Sequence, residues 1–330
     1  MSRILLIATG GTIASVPSPD GLAPALSGQQ LLSCLPSLAC QVDCIDLFNM
    51  DSSNIQPEEW QKMAKTVLLH MGDYDGVVIT HGTDTMAYTA SMLTFLLQNP
   101  PLPVVLTGSQ WPMVRPDSDG RANLAHAILA ARRLAGGVYI CFGSAVMRGC
   151  RAVKTRTTSL NAFESINAPY VGTVVDGCFI DLTLQQPDPE KHFRYYSNIE
   201  PNVALVKLIP GTTAKQLSML SACDVKGVVV EAFGLGGVSN FRRDHAEALR
   251  GLMKQGIPVV LTSQCLYEAS TPDLYEVSRP LREAGVISAG DMTTEAALAK
   301  MMWILSLSRD VAEVSGMFYE PVAHDILYRG

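Results

Sequence analysis

The sequence predicts two α/β domains with mostly parallel sheets, a larger N-terminal one and a smaller C-terminal one. Three observations predict this. Short runs rich in Val and Ile recur along the chain and stay apolar from end to end, as parallel strands buried on both faces do. Helical patterns fill the gaps between them, which makes a βαβ series. Strand signals then thin out between about Gly177 and Pro201, where "LTLQQPDPEKHFRYYSNIEPN" is polar and carries three prolines. The expected division is a first domain over 1–185, a connection over 186–202 and a second domain over 203–330.

Each element has its own signal. The first strand is "ILLIAT" (4–9), and it meets Thr9-Gly10-Gly11-Thr12 at its end. "VDCIDLF" (42–48) follows. "QPEEWQKMAKTVLLHM" reads as a helix, with Pro57 and two acids at its start, where a helix N-terminus prefers them. "GVVIT" (76–80) leads through His81-Gly82-Thr83-Asp84-Thr85 into the helical "DTMAYTASMLTFLLQN". "PVVLT" (103–107) leads through Gly108-Ser109-Gln110 towards "DGRANLAHAILAARRLAG", which ends before Gly136-Gly137. "GVYICF" (137–142) closes the first series. The second domain offers "VALVKLI" (203–209), "GVVVEAF" (227–233), "IPVVLTS" (257–263) and the helical "MTTEAALAKMMWILS" (292–306), whose Met301-Met302 pair reads as core packing.

Composition excludes several classes. Hydrophobic residues make up 48% and charged residues 17% of the 330, which suits a buried core and argues against disorder. The net charge is −6 and the arginine pairs Arg132-Arg133 and Arg242-Arg243 stand isolated, so no basic face for nucleic acid is expected. No apolar run has the ~18–20 residues that a membrane span needs. The first apolar run is too short for a secretory leader and already reads as a strand. The eight cysteines form no CxxC pair, which fits reduced thiols in the cytoplasm. Nor do the six histidines cluster at ligand spacing; no metal and no cofactor are expected.

Function in parallel α/β sheets gathers beyond the carboxyl ends of the strands. Three such ends here set hydroxyls or charges beside glycine: 9–12, 80–85 and 107–110. "NMDSSN" (49–54) is a fourth. "TGGT" matches neither GxxxxGK[ST] nor GxGxxG, so a phosphate cradle is disfavoured. Nucleophilic chemistry fits better. A hydroxyl nucleophile needs a base and donors for an oxyanion, and "HGTDT" puts a hydroxyl beside a carboxylate while the glycines bare backbone N–H groups. A buried lysine could be the base. Spacing alone does not select which one. Taken singly, Thr12 and Asp84 also read as helix caps, His81 as a satisfied structural histidine, and Lys154 as a surface lysine.

"LIATGGTIA" and "GVVITHGTDTM" resemble the two signature segments of the bacterial-type L-asparaginase family. The resemblance extends through "MDSSN", "TGSQ", "SDGRANL", "RGCRAVKT" (148–155), "FGLGG" (233–237) and "GDMTTEAALAK" (290–300), and is greatest to the cytoplasmic type I branch. It implies two α/β domains and an amidohydrolase acting on L-asparagine, preferred over glutamine, as a homodimer or homotetramer. It implies that Thr12 attacks the side-chain amide carbon and becomes acylated. Lys154 and Asp84 would tune the Thr83 hydroxyl, and Asp84 would also take the substrate α-ammonium. Ser52 would hold the α-carboxylate, flanked by Asp51 and Ser53. Gly11, Gly82 and Ser109 are further candidate contacts, the first two through the backbone N–H groups of their turns.

Two positions depart from the family pattern. Leu22 aligns with a tyrosine that bonds the nucleophile, in a Pro- and Gly-rich segment (Ala14 to Leu26) that reads as a mobile lid. Gly237 stands where many members have an asparagine. Two other readings stay open: the amidase subunit of a tRNA-dependent amidotransferase, which usually carries an extra domain before the TGGT strand, and a binding homologue with weakened turnover.

Overall fold

The computed structural model describes residues 2–19, 21–183, 192–271 and 279–328. They fall into two units, Met1–Ser197 and Asn198–Gly330. The first is built on an eight-stranded sheet: β1 (Arg3–Gly10), β2 (Gln41–Met50), β3 (Gly76–Thr80), β4 (Pro103–Thr107), β5 (Gly137–Phe142), β6 (Ala145–Arg148), β7 (Gly172–Val175) and β8 (Cys178–Asp181). Their spatial order is β8-β7-β6-β5-β4-β3-β1-β2. Neighbours from β2 to β5 run parallel, and those from β5 to β8 run antiparallel.

The apolar runs become strands because both sheet faces are covered. β3 and β4 are buried at every residue, and β1 at every residue after Arg3. Helix α1 (Pro57–His70) starts where the sequence puts its signals: Pro57 in the first turn, Glu59 accepting the Gln56 N–H (3.2 Å), and Glu58 beside it. In α2 (Met86–Leu96) every residue but Tyr88 is buried, so this helix is apolar all round rather than amphipathic. Helix α3 (Gly120–Ala131) packs Leu124, Ala127 and Ile128 into the same core as Ile4, Leu6 and Val105.

The strand order locates function. β1 lies between β2, which follows it, and β3, so the winding reverses between β1 and β3. In open α/β sheets ligands bind beyond the strands' carboxyl ends at such a reversal point. Thr9–Thr12 leaves β1 there, and His81–Thr85 leaves β3.

Three features add to the sequence reading. The antiparallel strands β6, β7 and β8 carry no long apolar run; β7 and β8 form a hairpin around Asp176 and Gly177, both at positive φ (48° and 72°). The segment expected as a mobile lid forms a two-stranded ribbon, Ser15–Ser18 against Gly21–Pro24, with Pro17 opposite Leu22. The expected connection over 186–202 is divided: residues 186–191 lie outside the described residues, while Arg194-Tyr195 pair with Leu97-Gln98 in the first unit. The Tyr196 N–H donates to the Leu96 carbonyl (2.9 Å) and the Gln61 amide to the Ser197 carbonyl (2.6 Å), which ties this stretch down.

The second unit is a four-stranded parallel sheet, β9 (Val203–Lys207), β10 (Gly227–Ala232), β11 (Val259–Ser263) and β12 (Ile287–Ser288), in that spatial order. Helix α4 (His245–Lys254) packs Ala246, Leu249 and Leu252 into its core with Val228, Val230 and Leu261. Helix α5 (Thr294–Leu305) carries a fully buried Lys300. Its Nζ donates to Asp325 Oδ2 (2.6 Å) and to the Glu320 carbonyl (2.8 Å), while Asp325 Oδ1 accepts the Val322 N–H (2.7 Å). Breaking one side of such a pair strands a buried charge. Lys300→Met is expected to lose about 3–5 kcal/mol of stability in urea unfolding. A loss below about 1 kcal/mol would show that Asp325 finds water instead.

Candidate active site

Glycines lock three loops together at the reversal point. Gly10 and Gly11 have φ of 96° and 77°, a region that L side chains avoid. Space forbids a side chain as well. A Cβ on Gly11 would lie 2.3 Å from the Gly82 nitrogen, and one on Gly82 would lie 2.6 Å from the Ser52 Cβ. The Gly11 N–H also donates to the Met50 carbonyl (2.8 Å). Segments 10–12, 50–54 and 81–84 therefore pack in direct contact. Thr12, half-buried, opens a short 3₁₀ turn, Thr12–Ala14, whose Ile13 and Ala14 are buried and hold it down.

At the end of β3, Thr83 is buried and Asp84 is largely exposed. Lys154 reaches both from a short strand, Ala152–Lys154, paired with Phe163–Ser165. Its Nζ lies 2.9 Å from Thr83 Oγ1 and 2.6 Å from Asp84 Oδ1. Thr83 Oγ1 in turn donates to Gln110 Oε1 across 3.4 Å. The hydroxyl thus accepts a hydrogen bond from lysine and directs its own proton towards an amide oxygen.

Ser52 is buried and joins the same cluster. Its Oγ accepts the Asp84 N–H (3.3 Å) and its carbonyl accepts the Thr85 hydroxyl (2.7 Å). Asp51 and Ser53 flank it on the exposed side, bonded to each other through Ser53 Oγ and Asp51 Oδ1 (2.6 Å). Ser109 is placed differently. Its hydroxyl donates to the Trp111 carbonyl (2.6 Å), so it braces its own loop. Gln110, the next residue, is the one that reaches Thr83. Its Nε2 also donates to the carbonyls of Thr157 and Ser159, 3.0 Å each, and its N–H donates to Asp119. The signal for this lies in "TGSQ" and "SDGRANL", whose residues meet here.

His81 is fully buried. Burial pushes its pKa down to about 4, against the opposing pull of the Gly82 carbonyl. Both ring nitrogens are bonded, Nδ1 to the Gly82 carbonyl (2.7 Å) and Nε2 to Thr89 Oγ1 (2.9 Å). Among the described residues no three His, Cys, Asp or Glu side chains converge as a metal site would require. The cluster holds the hydroxyls of Thr12, Ser52 and Thr83, the Lys154 amine, the Asp84 carboxylate and glycine-rich turns. That is equipment for acyl transfer through a hydroxyl nucleophile.

Comparison with known proteins gives the family. Residues 3–186 match the family model for the asparaginase N-terminal domain, and residues 202–318 match the glutaminase/asparaginase C-terminal domain. The chain belongs to the asparaginase family. It is 39% identical over 329 residues to an L-asparaginase of Thermococcus kodakarensis, spanning 98% of this chain and 99% of that one. The solved structure of the thermostable L-asparaginase from that organism superposes with a TM-score of 0.93 at 38% identity, covering 98% and 99% of the two chains. L-asparaginase I of Vibrio cholerae gives 0.86 at 31% identity, covering 98% and 99%. The chain is also 34% identical over 336 residues to a glutamyl-tRNA(Gln) amidotransferase polypeptide of Archaeoglobus fulgidus, spanning 98% of this chain and 79% of that one. The asparaginase fold explains the division of the chain: each family domain matches one unit of the structure.

Proposed function

We propose that this protein is an L-asparaginase, hydrolysing L-asparagine to L-aspartate and ammonia. The observation that carries the reading is the Lys154–Thr83–Asp84 cluster, at 2.9 and 2.6 Å, held against the Gly11–Thr12 turn by Gly82. Thr12 Oγ attacks the side-chain amide carbon, and its proton passes to a base. The base passes that proton to the amide nitrogen, and collapse of the tetrahedral intermediate expels ammonia and leaves an acyl ester on Thr12. Water, activated at Thr83 with Lys154, then cleaves that ester and restores the hydroxyl. The Thr12 N–H and the N–H groups of the Gly82–Thr83 turn take the oxyanion, the Gly11 N–H being already bonded to the Met50 carbonyl. Asp84, exposed to an incoming ligand, takes the α-ammonium, and Ser52 the α-carboxylate. No cofactor enters this scheme.

The working form is a homo-oligomer, dimer or tetramer, as the resemblance implies. All eight cysteines are free thiols, which supports a reducing, cytoplasmic setting. No helix among the described residues is long and apolar enough to cross a membrane.

Ammonia release from the pure protein, with L-asparagine and L-glutamine compared, tests the reading. Asparagine is expected to win by about 100-fold in kcat/KM. Asp84 and Ser52 fix both α-groups, so one extra methylene displaces the amide carbon by about an ångström, and such misplacement costs on that order. Equal values for the two amides would refute the preference. The identity to the amidotransferase polypeptide supports a second, less favoured reading, the amidase subunit of a tRNA-dependent amidotransferase. A third, weakened turnover, rests on Leu22, whose side chain stands exposed on the ribbon and offers no hydroxyl. Gly237 adds to it: a Cβ there would meet the Phe233 carbonyl oxygen only at 3.4 Å, so packing does not demand glycine.

A further inference from the structure

His81 sits one residue before the Gly82–Thr83 turn, yet takes no part in the chemistry above. Its hydrogen bonds can be assigned proton by proton. A carbonyl only accepts, so the bond to the Gly82 oxygen (2.7 Å) requires hydrogen on Nδ1. Burial keeps the ring neutral, so Nε2 carries a lone pair. Thr89 Oγ1, 2.9 Å away, must then be the donor to Nε2. Indole N–H only donates, and Trp60 Nε1 lies 2.9 Å from the same Thr89 oxygen. The relay runs one way, from Trp60 on α1 through Thr89 on α2 and His81 to the Gly82 carbonyl.

The receiving peptide needs a holder. Gly82 must be glycine because Ser52 leaves no room for a Cβ, and glycine is the residue whose peptide turns most freely. The Gly82–Thr83 peptide follows β3 and precedes α2, so it belongs to neither ladder. In a trans peptide the N–H points opposite to the carbonyl. Fixing the Gly82 oxygen therefore fixes the direction of the Thr83 N–H and the seat of the Thr83 side chain. The backbone of His81 is held as well: its N–H donates to the Thr107 carbonyl (2.8 Å), and its own carbonyl packs against Gly108.

We propose that His81 is a positioning residue: its Nδ1–H sets the plane of the Gly82–Thr83 peptide, with Thr89 and Trp60 holding the ring in the required tautomer. The inference rests on the reading of Thr83 as part of an amidohydrolase site. A side chain that merely filled the core would be judged by volume. A positioning donor is judged by where its N–H lies.

Two variants separate these roles. His81→Asn puts an amide N–H where Nδ1 stands but leaves space behind it. His81→Gln fills the space better but carries its amide near the Nε2 position. His81→Asn is expected to lose about 5-fold in kcat and to keep the Thr83 backbone amide resonance near its wild-type position in ¹⁵N–¹H spectra. His81→Gln is expected to lose about 100-fold, the scale of a misplaced transition-state donor, with that resonance displaced. The order must hold even if His81→Gln is the more stable protein. His81→Gln equal to or better than His81→Asn in kcat, or equal displacement of the Thr83 amide in both, would overturn the proposal. If the wild-type protein hydrolyses neither amide, the proposed function falls, and the Thr83 resonance alone decides the role of His81. Should His81→Asn not fold, a folded His81→Gln protein with full kcat and an unmoved Thr83 amide overturns the inference, and the loss of both supports it.

Discussion

Thr12→Ala is expected to abolish amide hydrolysis, with kcat falling by about 10⁴ or more, while the fold stays intact. The size follows from the chemistry. Without the hydroxyl no acyl-enzyme forms, and residual rate comes only from binding and oxyanion donors, as when a serine nucleophile is removed. A loss of 10⁴ corresponds to about 5.5 kcal/mol of transition-state stabilisation. The intact fold follows from the structure. Gly10 and Gly11 fix the Thr12 backbone through their positive φ and their close approach to Met50 and Gly82, and the buried Ile13 and Ala14 seat the turn. The Thr12 side chain is only half-buried, so its truncation removes little packing. Ammonia release and thermal unfolding measured on the same sample check both halves. Thr83→Ala tests the second hydroxyl with less separation, since Thr83 Oγ1 bonds both Lys154 and Gln110. Near-normal turnover in a folded Thr12→Ala protein would end the covalent-threonine scheme.

The parallel half of the first sheet is legible in the sequence because strands buried on both faces leave unbroken apolar runs. "GVVIT" and "PVVLT" coincide with β3 and β4 residue for residue. The antiparallel half is short and mixed in polarity, and its clearest mark, Asp176-Gly177 between "TVV" and "CFID", is a local turn signal that periodicity does not weigh. The ribbon around Leu22 hides for another reason. Prolines usually mark loops, yet Pro17 and Pro24 stand on two strands of a sheet that has no third strand, where a missing N–H costs little. Within the site, the strand-end residues are legible because topology gathers strand ends. Lys154 is not, because it lies 71 residues from Thr83 and enters from a two-stranded sheet outside the main one. Only the likeness of "RGCRAVKT" to the family singles it out. Gln110 stands at a strand end in plain view, but its role depends on the carbonyls of Thr157 and Ser159, which no spacing places nearby.

Lys154→Met should cost at least about 100-fold in kcat. Methionine keeps much of the volume and removes both the charge and the proton acceptor, so the change falls on the chemistry rather than on packing. The partner left behind does not confuse the result. The Asp84 side chain is 65% exposed, so water can solvate its carboxylate once the ammonium is gone, and folding stability should change little. Thr83 is the group that suffers. Its Oγ1 loses its 2.9 Å partner, the amine that takes the proton in the proposed reaction, and keeps only the 3.4 Å contact to the Gln110 amide oxygen, which is no base. Lys154→Arg separates charge from proton transfer. Arginine keeps a cation beside Asp84 but does not give up its proton in a protein, so it cannot act as a base. If Lys154 moves a proton, Lys154→Arg falls as far as Lys154→Met in kcat while KM changes less. If the lysine only supplies charge, arginine restores most of the rate. Retention of more than about a tenth of the wild-type rate by Lys154→Met, a loss under about 1.4 kcal/mol, would remove Lys154 from the proton path. The 2.6 Å contact with Asp84 would then serve to hold that carboxylate in place for the substrate's α-ammonium.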